Sequence, residues 1–381
     1  MGELCIGVMS GTSLDGVDIA LCDFDKNKKV KLKHFDSFLF DVALKNDILK
    51  AINECVTLKE IGSIDDELGQ MYAKYIKDFI KIYNLNPQDI KAIGLHGQTL
   101  WHEPKLGFSM QLGNPNRVAY ETKIPVVCDI RRMDMASGGQ GAPFAPLFHK
   151  LMFDAPKTAV VNIGGMANIT ILGYDLIGYD IGCGNVLMDS WCQKYFDTSY
   201  DKDGEMAESG QIDKKLLELM LNDSYFKQNY PKSTGREYFN MGWIEEKLFR
   251  HSVLDTESNE ILKQVQDDDE LHHYKKLKTN ILRTLTELTA MTIVNEAKKF
   301  DIESIILCGG GTKNKFLVER IGSLFGKDVK LTSDYGVRED AIEAMMMAYF
   351  AFLRVNKIPS NLKSITGAKE NLIAGGLYEP N

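Results

Sequence analysis

The chain has 381 residues, 44% hydrophobic and 26% charged, with a formal charge of −8; this is a globular composition, and the charge offers no general attraction for nucleic acid or anionic membrane. Its longest apolar runs, such as Ala344 to Leu353, are far shorter than the ~20 residues that cross a bilayer, and no basic region followed by a long apolar one opens it, so a cytosolic protein is expected. A single hydrophobic core stops growing at roughly 250–300 residues, so two domains with a cleft between them are expected.

The chain opens with apolar runs Leu4 to Met9, Val17 to Phe24 and Val30 to Phe40. The Gly- and Ser-rich turn Ser10 to Gly16 and the polar turn Lys26 to Lys29 separate them, which predicts a three-stranded antiparallel meander. Leu68, Met71, Tyr72, Tyr75, Ile76, Phe79 and Tyr83 recur at helical spacing up to Asn86 and Pro87. Ile90 to Leu95 then reads as a short buried strand ending in His96, Gly97, Gln98 and Thr99. Asp129, Arg131, Arg132 and Asp134 form a second polar cluster, and the glycine-rich Ser137 to Ala142 reads as a hinge into the next domain. Strands are expected at Ala159 to Ile163, Ile169 to Leu172 and Leu176 to Asp180, followed by Gly182, Gly184 and a helix from about Asn185. This repeat of strand, glycine turn and strand suggests an internal duplication. Pro231 to Phe239 is a dense polar loop, most simply a surface turn with a solvated charge pair. The charged stretch His251 to Lys276 reads as a surface insertion before a buried helix that carries Ile281, Leu282, Leu285 and Leu288. Ser304 to Leu307 is a strand running into Gly309, Gly310 and Gly311, then a helix with Phe316, Leu317 and Ile321. Met345, Met346 and Met347 are helix core.

Three glycine turns carry the chemistry: Ser10 to Gly16, Asp180 to Asn185, and Gly309 to Gly311. Glycines let the backbone approach a phosphate, and hydroxyls with free N–H groups donate to its oxygens. No Walker Gly-Lys-Ser/Thr and no GxGxxG is present, so the pattern suits a nucleotide clamped between two lobes. A carboxylate, Asp180, closes a strand beside one of these turns. Arg131 and Arg132 offer bidentate contact to a substrate carboxylate, or else form surface ion pairs with Asp129 or Asp134. His96 alone is more simply a satisfied core histidine. The seven cysteines never fall in a CxxC pair, so neither disulfides nor a zinc site are expected, and Cys128 and Cys183 are read as small buried hydrophobes.

GVMSGTSLDGVD (Gly7 to Asp18), GLHGQT (Gly94 to Thr99), RRMDMASGGQGAP (Arg131 to Pro143), VNIGGMANIT (Val161 to Thr170), DIGCGN (Asp180 to Asn185), PKSTGREYFN (Pro231 to Asn240), CGGGTKN (Cys308 to Asn314) and SITGA (Ser364 to Ala368) run from end to end of the chain. In this order they resemble the motifs of the anhydro-N-acetylmuramic acid kinase family, within the sugar kinase, heat-shock ATPase and actin superfamily. The resemblance implies an α/β fold of two RNase H-like, actin/hexokinase-type domains flanking an interdomain ATP and substrate cleft. Residues 1–130 with about 340–381 would form one lobe, and 131–339 the other. It implies an ATP- and Mg²⁺-dependent reaction in peptidoglycan recycling. Water would add at the anomeric carbon of a small anhydro sugar, the 1,6-anhydro bridge would open, and O6 would take the γ-phosphoryl group. Asp180 would be the general base and a substrate contact, with His96, Gln98, Thr99, Asp129 and Arg131 also on the sugar. The ATP contacts implied are Gly11, Thr12, Ser13, Leu14, Asp15, Gly16, Val17, Asp18, Gly164, Gly165, Asn168, Gly182, Gly309, Gly310 and Gly311. No side chain is a direct metal ligand in this reading; Mg²⁺ would hang on phosphate oxygens and water, with Asp15 or Asp18 at most in its outer shell. Met9 stands where the superfamily usually carries an aspartate. A homodimer is the implied assembly. The alternatives are another small-molecule kinase of the superfamily and a non-catalytic nucleotide switch.

Overall fold

A computed structural model describes residues 2–11, 14, 16–153, 155–173, 176–254 and 268–381. They divide into two compact units, Met1–Asp154 with Asp340–Asn381, and Ala155–Glu339. In the first unit, β1 (Glu3–Ser10), β2 (Gly16–Phe24) and β3 (Val30–Leu39) form the expected antiparallel meander. The turn between β2 and β3 is fixed by Asp25, whose Oδ1 accepts the amide N–H groups of Asn27 and Lys29, both at 2.8 Å. β4 (Ile90–Leu95) runs parallel to β1. β5 (Gln98–Glu103) and β6 (Phe108–Leu112) form a separate two-stranded ribbon that the polar cluster at its start had not signalled. β7 (Val126–Cys128) lies parallel to β4, and the C-terminal strand Gly376–Tyr378 closes the edge.

The second unit repeats this plan. β8 (Thr158–Ile163), β9 (Met166–Leu172) and β10 (Ile177–Cys183) form a second antiparallel meander, and β11 (Ser304–Cys308) and β12 (Asp328–Leu331) continue it in parallel from β8. The strand orders β3-β2-β1-β4-β7 and β10-β9-β8-β11-β12 are the same. The chain is therefore α/β, with an RNase H-like sheet built twice.

Helices cover the sheets where their apolar stripes dictate. Leu58–Ile82 buries Ile64, Leu68, Met71, Tyr72, Ile76 and Phe79. It starts well before Leu68 because Thr57 and Glu60 form a reciprocal capping box that satisfies the first amides. Ile342–Val355 is buried along most of its length, Met345 to Met347 included, and lies on β1, β2 and β4. Gly7 of β1 and Gly94 of β4 let it approach: a Cβ on either would overlap a main-chain carbonyl of the helix, Ala344 or Met347.

Two expectations about boundaries are corrected. Residues 131–153 belong to the first unit, and Ser137 to Ala142 is not where the chain leaves it. Asp134 holds that segment in place, accepting the Gly141 N–H at 2.7 Å and the Thr366 hydroxyl at 2.6 Å, while Gln140 N–H donates to Thr366 O at 3.0 Å. The bounds of the charged stretch also shift, because the helices Met241–Leu254 and Asp268–Lys298 extend into 251–276 from both sides; residues 255–267 lie outside the described residues.

A paired substitution tests the packing. Gly7→Ala is expected to lower unfolding stability by roughly 2–3 kcal/mol, because a helix backbone must shift. Gly62→Ala, at an exposed helical position with open space, is expected to raise it by about 0.5–1 kcal/mol. Urea unfolding of both checks the pair, and a neutral Gly7→Ala would contradict the close approach.

Candidate active site

In the second unit, Asp180 on β10 stands directly opposite Asn168 on β9, which stands opposite Asn162 on β8. Opposed residues share a face of the sheet, so two amides and a carboxylate form one row. Asp180 does not close its strand, as the sequence suggested: β10 runs on to Cys183 through a bulge between Asp180 and Gly182. Gly182 sits at φ +151°, where a Cβ would meet the Phe226 ring at 2.6 Å, and such a bulge re-aims the side chain beside it.

The Asp180 carboxylate is held on one side only. Its Oδ2 accepts the Ser233 hydroxyl at 2.9 Å and the Thr234 N–H at 3.2 Å, whereas its Oδ1 has no partner among the described residues. The main chain is fixed too: Asp180 N–H donates to Lys232 O at 3.2 Å, and the Tyr225 hydroxyl donates to Asp180 O at 2.9 Å. Burial raises the Asp180 pKa above its ordinary value; the Thr234 N–H and Ser233 hydroxyl work against that rise, Glu237 adds to it and Lys232 opposes it. The loop Pro231 to Phe239 is thus not a solvated turn at this end. Ser233 and Thr234 are site residues missed from sequence, although their dense polar loop was visible, because no periodicity links them to a strand so far upstream.

The two glycine turns of this unit converge. The carbonyls of Gly164 and Gly165 receive the amides of Gly184, Asn185 and Val186 at 2.8–3.1 Å, docking the start of the helix Val186–Tyr195 on the β8–β9 turn. Gly309, at φ +86°, lies so close to β8 that a Cβ would meet the Ile163 carbonyl oxygen at 2.7 Å, and one on Gly311 would meet Asn185 Oδ1 at 2.9 Å. Gly310 faces open space. Together they make a surface of bare backbone beside the Asn162–Asn168–Asp180 row, and the Arg236 guanidinium lies against Gly165.

In the first unit, Leu14 adopts φ 56° with its N–H on Gly11 O at 3.2 Å. Leu14 and Val17 bury their side chains in the core, so they offer a ligand main chain alone. Gly16 and Asp18 lie on β2 opposite Leu39 and Ser37 of β3. Thr12, Ser13 and Asp15 lie outside the described residues.

The polar groups proposed for a second ligand sort themselves differently from the expectation. Arg131 donates from Nε and Nη2 to His96 Nε2 at 3.2 and 2.9 Å, and from Nη1 to Gly141 O at 2.7 Å. His96 Nδ1 donates to Gly97 O at 2.7 Å. The ring therefore carries its proton on Nδ1, and burial beside a guanidinium pushes its pKa down to about 3. His96 orients Arg131 and is no base. Asp129 is instead bound to Arg132 at 2.6 Å, so its carboxylate is satisfied at the surface by a neighbour one turn along. Gln98 is fully buried with Oε1 unpartnered among the described residues, the signature of an acceptor kept for something else. Thr99 Oγ1 accepts Gln111 Nε2 at 3.2 Å. Burial pushes the Cys128 and Cys183 thiols up to about 12, which disfavours the thiolate at both and fits small buried hydrophobes.

A family model described as anhydro-N-acetylmuramic acid kinase matches residues 3–380. A protein of that name from Sulfurovum sp. (strain NBC37-1) is 47% identical over 99% of both chains, and one from Sulfurimonas denitrificans is 47% identical over 100% of both. Among solved structures, the activator of the 2-hydroxyisocaproyl-CoA dehydratase from Clostridium difficile aligns over 93% of this chain and 96% of its own at a TM-score of 0.44 and 9% identity, a likeness too loose to bear on function.

A histidine-selective ¹⁵N NMR titration is expected to show His96 neutral, protonated on Nδ1, from pH 8 down to pH 5. The folded ring takes up its second proton only near about 3, the unfolded ring near ~6.5. Acidification through that interval therefore favours unfolding, and stability falls as the pH drops. An imidazolium signal for His96 above pH 5 would break the assigned bond to Arg131.

Proposed function

The chain belongs to the anhydro-N-acetylmuramic acid kinase family and is a phosphotransferase of cell-wall recycling, and from that premise we propose that Asp180 is the general base that opens the 1,6-anhydro sugar. The carrying observation is the asymmetry of its carboxylate: Oδ2 is fixed by Ser233 and Thr234 while Oδ1 has no partner among the described residues. A pinned carboxylate with one free oxygen positions a water, and positioning supplies much of the barrier reduction. Oδ1 takes the proton as the water oxygen bonds to the anomeric carbon and the C1–O6 bond breaks. The O6 electron pair attacks the γ-phosphorus, and ADP leaves. No separate acid is needed, since O6 is captured by phosphorus.

The remaining residues divide the binding. The bare backbone of Gly164, Gly165 and Gly309 to Gly311 fits a nucleotide: a Cβ on Gly309 would strike the Ile163 carbonyl, one on Gly311 would strike the Ile163 and Asn185 side chains, and Gly310 faces open space. Gly11 to Asp18 meets phosphates through main-chain groups, with Asn168 in the row beside Asp180. Arg131, oriented by His96, presents positive charge to the sugar's carboxylate, and Gln98 Oε1 accepts from an N–H or O–H of the sugar. Thr99 completes that strand end. Mg²⁺, when bound, neutralises charge on the phosphate oxygens. Phosphate oxygens and water would carry it, with Asp15 or Asp18 at most in its outer shell. No described helix is long and apolar enough to cross a membrane. We assign the reaction to the cytoplasm, where ATP is available, and the assembly to a homodimer.

Asp180→Asn keeps the shape and loses the base, so kcat is expected to fall on the order of 10³-fold while ATP affinity, by calorimetry, stays within about twofold. Turnover near wild type would exclude Asp180 as the base. Products formed in ¹⁸O-water are expected to carry the label at the anomeric hydroxyl alongside a 6-phosphate; label absent from that position would contradict opening by water.

A further inference from the structure

Lys232 and Glu296 lie beneath the site and take no part in the chemistry just described. Their side chains are 1% and 5% exposed, and Lys232 Nζ meets Glu296 Oε1 at 2.7 Å. Glu296 projects from the helix Asp268–Lys298, and its Oε2 accepts the Tyr179 hydroxyl at 2.9 Å and Lys299 Nζ at 2.8 Å. The Lys232 ammonium also stands 4.9 Å from the centre of the Tyr225 ring, and Tyr225 is the residue whose hydroxyl holds the Asp180 carbonyl. The main chain of Lys232 accepts the Asp180 N–H, and the next two residues, Ser233 and Thr234, supply both donors to Asp180 Oδ2. One residue thus has its side chain fastened to a helix and its backbone fastened to the base.

We propose that the buried Lys232–Glu296 ion pair is a positioning clamp for the reaction, seating the 231–235 loop so that Ser233 and Thr234 hold one oxygen of Asp180 and leave the other toward water. The proposal rests on the reading of Asp180 as the base. A lysine left buried without its partner is strongly unfavourable, so removing Glu296 sends Lys232 to solvent and its loop with it. Glu296 also neutralises the ammonium nearest Asp180, so the loop is anchored without a bare cation that would weaken the base. The groups facing Asp180 are then Ser233, Thr234, Glu237 and Lys232 from the loop, Tyr225 at its carbonyl and Asn168 from β9.

A double-mutant cycle on kcat separates a clamp from mere support of the fold. Ser233→Ala alone, at an exposed hydroxyl, is expected to lower kcat about tenfold. Glu296→Met is expected to lower kcat on the order of 10²-fold with the KM for ATP within about twofold. In the Glu296→Met background, Ser233→Ala is expected to change kcat less than about twofold, because the hydroxyl has already left Asp180. Should Glu296→Met not fold, Glu296→Gln, which keeps size and one acceptor, replaces it with smaller amplitude and the same non-additivity. Equal losses from Ser233→Ala in both backgrounds overturn the clamp. If Asp180→Asn is inactive but Ser233→Ala has full kcat, the clamp is overturned and the base stands; if Asp180→Asn is itself active, the base reading has failed and the clamp with it.

Discussion

On the proposed reading of Asp180 as the base, one of its oxygens must belong to the protein and the other to water, and the structure around it in the second unit accords with that requirement. A side chain on a regular strand stands perpendicular to its sheet and is ringed by cross-strand neighbours. The bulge after Asp180 breaks that regularity by one residue, and Gly182 is what the bulge requires, since its φ and the Phe226 ring leave no room for a side chain. The loop from Pro231 then covers the exposed flank of the carboxylate and supplies the two donors. Strand geometry aims the group, and loop hydrogen bonds decide which oxygen stays free.

The surface proposed for the nucleotide obeys a different constraint, which is distance. Amide groups reach a phosphate or a ribose only if nothing projects between them; the helix start at Gly184 lies so close to the Gly164–Gly165 turn, and Gly309 to Ile163, that a Cβ added at either glycine would overlap backbone. The amides of Gly184, Asn185 and Val186 are used to dock that helix on the turn, so the helix start is a structural joint, and the free surface is the triple-glycine side. The same steric economy appears in the first unit, where Gly7 and Gly94 admit a helix in place of a ligand. Glycine by itself does not report which of these two uses it serves.

That ambiguity explains what could be read from the sequence and what could not. The meanders were legible because strand-length apolar runs were separated by turn residues, and the duplication because the pattern recurred. The motifs drew attention to Asp180, the glycine turns, His96 and Arg131, but Asp180 sits inside β10, Arg131 on the helix Ile130–Ala136, and the His96–Arg131 bond is visible only in the fold. The ribbon of β5 and β6 was not legible, since Trp101, Phe108 and Met110 are exposed apolar residues on short strands and give no one-sided alternation. The hinge expected at Ser137 to Ala142 failed because Asp134 and Thr366 meet only in three dimensions. Asp129 looked like a ligand residue for the same reason that Arg132 satisfies it: both are polar, close in sequence and near the surface. Pro231 to Phe239 was the most consequential misreading, because a charged loop gives no sign that its lysine is buried.

The burial of Lys232 is the feature least expected on stability grounds. Replacing a buried ion pair with apolar residues of similar volume is commonly neutral or stabilising, while breaking one by removing a single partner is costly. Stability alone would therefore favour two aliphatic side chains beneath this loop. Aliphatic packing, however, tolerates sliding and repacking, whereas the Lys232–Glu296 pair has directional bonds at 2.7 Å, with Tyr179 and Lys299 fixing the second carboxylate oxygen. A directional anchor fixes the position of Lys232 in its loop, and it is the Lys232 carbonyl, the Ser233 hydroxyl and the Thr234 N–H that touch Asp180. The ion pair is better explained by the precision it transmits to the carboxylate than by any net gain in folding free energy.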